Sequence, residues 1–70
     1  MTAPEMIYAQ TAPKNIDMLN KIIEAYGHLG VVSTINHESG LVVIRVTRDT
    51  HSEVMEILSY LPFSLKVGHF

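Results

Sequence analysis

Apolar residues along this chain switch between a period of two and a helical period. Glu5 to Thr11 (EMIYAQT) reads as a first strand, and APKN is its exit turn. From about Asn15 to Tyr26, Ile16, Leu19, Ile22, Ile23 and Tyr26 recur at helical spacing, while Asp17, Asn20, Lys21 and Glu24 hold the opposite face. That pattern predicts an amphipathic helix. Asn15 is expected as its N-cap, and Gly27 stands where a helix ends in the left-handed conformation. GHLG leads into a second strand, VVSTIN, and HESG turns the chain into LVVIRVTR. A glycine closing a short polar loop predicts a three-residue hairpin, Glu38-Ser39-Gly40, with Gly40 at positive φ. Thr50 and Glu53 have the spacing of a capping box, with Asp49 as the alternative cap. Val54, Ile57, Leu58 and Leu61 then form the stripe of a second helix, Pro62 stops it, and SLKVGHF is expected to be the last strand.

The order is therefore βαββαβ, and the two halves are alike. Each helix must cross one face of a sheet in a right-handed connection. The expected fold is α+β, a ferredoxin-like sandwich of four antiparallel strands ordered 4-1-3-2 with both helices on one face. A single domain over residues 1–70 is expected, since seventy residues suffice for one core and no more.

Side chains alternate across a strand, so the sheet's two faces can be assigned. Pairing His37 with Leu41 brings Val32 and Thr34 beside Val46 and Ile44, facing the helices with Val42. Ile7, Ala9, Leu65 and Val67 are expected on the same side, and Lys66 on the other. The uncovered face then carries Met6, Tyr8, Gln10, Ser33, Ile35, Leu41, Val43, Arg45 and Thr47. Arg45, an isolated cation in an otherwise apolar strand, is expected on this face and outside the core. Contiguous exposed apolar area marks an interaction surface, and VVSTIN is an edge strand with neither charge nor proline to discourage pairing. A homodimer is expected, with Tyr8, Ile35, Leu41, Val43 and Arg45 at its interface.

Composition sharpens this in three ways. With 47% of residues hydrophobic and 17% charged, the chain is globular rather than disordered. It has no cysteine, which removes disulfides and thiolate chemistry and favours an intracellular protein. The start lacks the basic and apolar segments of a signal peptide, and no apolar stretch is long enough to span a bilayer. A cytoplasmic location without membrane partners is expected. The net charge is −2 and the five cations are scattered, so no basic stripe for nucleic acid is present.

The stretches APKNIDMLNKIIEAYGHLGVVSTI and GLVVIRV resemble the ACT domain, a ferredoxin-like regulatory module, across nearly the whole chain. LNKIIEAYGHLGVV, GLVVI and EVMEILSYLPF are similar to a group of short bacterial proteins, a domain of unknown function of the family 4911 type. The ACT resemblance implies a small ligand such as an amino acid, bound at a subunit interface near the first strand–helix turn. Pro13, Lys14 and Asn15 occupy that turn, where exposed amides at a helix start favour anions. Lys14 stands where the ACT pattern has a glycine, which removes the easy backbone approach to a carboxylate.

Other chemistry finds little footing. The topology brings His28, His51 and His69 to one rim and His37 to the opposite hairpin, but no pair has helical ligand spacing, so no metal site is assigned. RNA recognition motifs share the topology and stack bases on first- and third-strand aromatics. Tyr8 suits the first strand, but the third offers Val43 and Arg45. No nucleophile–base set and no phosphate loop is present, so no catalytic residue and no cofactor is assigned. Tyr26 and Tyr60 are expected to pack between helix and sheet or stand half-exposed. Two readings remain: a non-catalytic ACT-like regulatory module acting as a homo-oligomer, or an interaction module whose open sheet face binds another polypeptide.

Overall fold

The computed structural model describes residues 5–27 and 29–68. Strand β1 (Glu5–Gln10) leads through a 3-10 turn (Pro13–Asn15) into helix α1 (Ile16–Ala25). Strands β2 (Gly30–Asn36) and β3 (Leu41–Val46) form a hairpin, helix α2 (Arg48–Ser59) follows, and β4 (Lys66–Val67) closes the sheet. The strands are antiparallel and ordered β2-β3-β1-β4, which is the expected 4-1-3-2 arrangement counted from its other edge. This is the ferredoxin-like α+β sandwich that the two apolar periods imply.

The core lies between the helices and one face of the sheet. Ile7 and Ala9 of β1, Val42, Ile44 and Val46 of β3, Leu19 and Ile23 of α1, and Val54 and Leu58 of α2 are buried together. Val32, Phe63 and Leu65 pack against this cluster from its margins. Burying side chains of this size stabilises by about 1.5–3 kcal/mol each, so the central strands hold the sheet to the helices.

Local expectations needed correction at four places. The hairpin pairs Asn36, not His37, with Leu41, and Ile35 is left without a partner at a bulge between Thr34 and Asn36. Val32 thus meets Ile44, and Thr34 meets Val42. The turn is wider because Ser39 binds back to Asn36, its N–H donating to Oδ1 at 3.2 Å, and because the Gly40 N–H donates to the His37 carbonyl at 3.2 Å. The bulge absorbs the extra residue, so Val32 and Thr34 keep the expected face.

Asn15 does not cap α1. It is already in helical conformation at the end of the 3-10 turn, and its side-chain amide donates back to Thr11 Oγ1 at 3.3 Å. Helix α2 starts earlier than expected, with Thr47 as its N-cap. Thr47 Oγ1 accepts the Thr50 N–H at 3.3 Å, and Thr50 Oγ1 accepts the Thr47 N–H at 3.1 Å. Thr47 therefore belongs to the helix start and not to the uncovered sheet face.

The last strand is shorter than SLKVGHF. Among its described residues only Lys66 and Val67 join the ladder, opposite Gln10 and Ala9, and the Gly68 N–H adds one bond to the Tyr8 carbonyl. Pairing stops toward Ser64 because Thr11, buried at the end of β1, donates its hydroxyl to the Ser64 carbonyl at 2.8 Å. His69 and Phe70 lie outside the described residues.

Candidate functional site: the uncovered sheet face and the first turn

Alternation along β1 and β3 sends Met6, Tyr8 and Gln10, with Leu41, Val43 and Arg45, to the side away from the helices. The register arranges them in cross-strand rows: Met6–Arg45–Val31, Tyr8–Val43–Ser33 and Gln10–Leu41–Asn36. Arg45 is exposed between Met6 and Val31, so its guanidinium meets water with apolar neighbours on both sides. Met6 (52% exposed), Val31 (62%), Ile35 (50%) and Tyr8 (37%) leave large apolar surfaces open. The Tyr8 hydroxyl lies 3.4 Å from Met6 Sδ, which joins these two side chains along the strand.

Val43 differs from the rest of its face. It is 7% exposed, yet it stands apart from the helix-side core cluster. Set between Tyr8 and Ser33 in its cross-strand row, it presents little surface itself and forms the floor of the patch. Leu41 is half-buried beside it. Val31 was missing from the sequence-based interface set; counting back two residues from Ser33 places it on this face.

At the first turn, the three expected ligand residues separate. Pro13 lines a groove of ≈ 320 Å³ between the start of α1 and β2, together with Asp17, Asn20, Thr34 and His37. Lys14 is exposed and does not line it, and Asn15 turns inward to Thr11. The turn also consumes its amides: Pro13 has none, Asn15 N–H donates to the Ala12 carbonyl at 2.8 Å, and Ile16 N–H donates to Pro13. A groove with Asp17 in its wall and few free N–H groups offers an anion less than the sequence suggested. Asp17 itself pairs with Lys21 at 3.4 Å, an exposed i,i+4 contact worth a few tenths of a kcal/mol.

The histidines do not converge among the described residues. His37 borders the groove in the β2–β3 turn, and His51 on α2 lies 3.8 Å from Glu5. His28 and His69 lie outside the described residues. Among those described, no three His, Cys, Asp or Glu side chains are grouped to hold a metal ion. No helix there is long and apolar enough to cross a membrane.

The family model described as Domain of unknown function (DUF4911) matches residues 10–64, from the end of β1 to just short of β4. The chain belongs to that family. No curated protein and no solved structure matches it. The part of this DUF4911 domain that matches holds the first turn, both helices and the β2–β3 hairpin, and so includes Pro13–Asn15, Ile35, Leu41, Val43 and Arg45. Met6 and Tyr8, on the outer part of β1, complete the patch from beyond the matched span.

Proposed function

We propose that this domain is a non-catalytic, ACT-like binding module that works as a homodimer, with a small-ligand site at the subunit seam. One observation carries the reading: four large apolar side chains, Met6, Tyr8, Val31 and Ile35, stand open around a buried floor on a sheet face that no helix covers. A patch of this kind on a small domain gains stability when a second copy covers it. Strand β2 adds to it, being an edge strand whose described side chains include no charge. The Pro13–Asp17–Thr34–His37 groove borders that edge, so a partner joined along β2 would form one wall of a seam site.

Light scattering on the eluting protein tests the dimer: the expected mass is twice 7.8 kDa at micromolar concentration. Val31→Asp is expected to release the monomer without unfolding it, because Val31 is 62% exposed. A wild-type protein that elutes as a monomer, or a dimer untouched by Val31→Asp and Ile35→Asp, removes the reading. A thermal-shift panel of amino acids then tests the seam, where a bound ligand raises the melting temperature of wild type. Silence across the panel with an intact dimer would favour an assembly role over ligand sensing.

A further inference from the structure

Tyr26 and Tyr60 are the most exposed aromatic side chains among the described residues, at 59% and 81%. Neither packs between helix and sheet. Each terminates a helix, Tyr26 at the C-cap of α1 and Tyr60 at the C-cap of α2, and both line one cleft of ≈ 350 Å³. Leu29, Ile57, Glu53 and Glu56 complete its walls. Glu53, Ile57 and Tyr60 follow each other at i, i+4 and i+7, so a single face of α2 presents a carboxylate, an apolar side chain and a ring.

We propose that this cleft is a binding site for a small organic cation, an alkylammonium or quaternary ammonium group. Several independent features favour that charge and shape. Two aromatic residues line the cleft, and the face of a tyrosine ring attracts a cation. Two carboxylates share the walls, and neither forms an ion pair with a described residue. The Ser59 hydroxyl, three residues on along the helix, donates to the Glu56 backbone carbonyl at 2.6 Å and not to its carboxylate. Neither helix has a basic residue in its last turn, so the negative ends of both backbone dipoles lack the cation that commonly sits there. Leu29 and Ile57 pack against the core and give the cleft a fixed apolar base.

That base decides the class of cation. Calcium takes six to eight oxygen ligands and magnesium keeps its waters, whereas this cleft offers two carboxylates above hydrocarbon. An ammonium with methyl or alkyl substituents matches both parts, its charge toward the glutamates and rings and its carbon against Leu29 and Ile57. The volume is at the lower end for ligand clefts, which suits a head group of a few heavy atoms.

Choline is the probe, and 3,3-dimethylbutan-1-ol, the same shape without charge, is its control. Amide chemical shifts of labelled protein report where each binds. Choline is expected to produce saturable shifts at Leu29, Ile57 and Tyr60, with the neutral alcohol at least about fivefold weaker. Tyr60→Ala is expected to weaken choline about two- to fivefold and Tyr60→Phe to retain it, since the ring face and not the hydroxyl makes the contact. The Glu53→Gln, Glu56→Gln double variant is expected to bring choline most of the way toward the affinity of the alcohol, the rings keeping the remainder, while Asp17→Asn, the same charge change on another helix, leaves it unaltered. All these positions are exposed, and dispersed amide spectra confirm folding of each variant. The proposal is overturned if choline causes no saturable shift at those amides, if the alcohol binds as tightly, or if Asp17→Asn weakens choline as much as the glutamine pair.

Discussion

Gly40 and Gly27 have nearly the same backbone, with φ of +75° and +79°, in a region that side chains with a Cβ adopt at a cost of roughly 1–2 kcal/mol. Their surroundings differ. A Cβ at Gly27 meets nothing within 4 Å, whereas one at Gly40 would collide with the backbone carbonyl of Thr11. That close approach has a purpose in the fold: the Gly40 carbonyl accepts the Thr11 N–H at 3.1 Å, tying the β2–β3 hairpin to the end of β1. Thr11 in turn holds Ser64 and Asn15 through its hydroxyl, so one residue pins the exits of three segments. Gly27→Ala is expected to cost about 1–2 kcal/mol and Gly40→Ala about 2–5 kcal/mol, the backbone term plus overpacking. Urea unfolding of the two variants checks this, and equal losses would mean that the contact with Thr11 is not close in solution. Gly40's positive φ was legible in the sequence; its pressure on Thr11 was not, because the two residues are brought together only by the sheet.

Two overlapping signals compete for the start of α2. Thr47 and Thr50, and Thr50 and Glu53, both have the three-residue spacing of a cap and its partner. The helix adopts the first because Val46, buried opposite Glu5 and Gly30, is the last residue the sheet holds, and the chain is free to turn at Thr47. Thr47→Ala is therefore expected to lower stability by about 1 kcal/mol, and Glu53→Ala by less than about 0.5 kcal/mol, in thermal melts. The reverse order would return the cap to Thr50. This choice has a functional side: Glu53, released from capping, is left to line the cleft beside Tyr60. The same element-level competition governs the hairpin, where the turn made by Asn36, Ser39 and Gly40 overrides the tighter register and displaces Ile35 into a bulge.

For the whole molecule, the layout separates two kinds of surface. Helices carry Asp17, Glu24, Asp49, Glu53 and Glu56 on one side, and the opposite sheet face presents apolar side chains with Arg45 among them. If the uncovered face is a dimer interface, folding and association are linked, and the urea midpoint is expected to rise with protein concentration. A midpoint that is constant over a hundredfold range, in a protein that is a dimer by mass, would place the stabilising contacts within each subunit. The periodic pattern alone determined the element order, the strand arrangement and the stripes that form the core, because each depends on whether residues two, three or four apart share a face. It also placed Tyr8 and Arg45 on the open side. Only the tertiary structure decided that Val43 lies covered, that Asn15 faces Thr11, and that Tyr26 and Glu53 border one cleft. Those outcomes depend on where distant segments touch, and one shifted turn or cap redirects every side chain that follows it until the next bulge or bend.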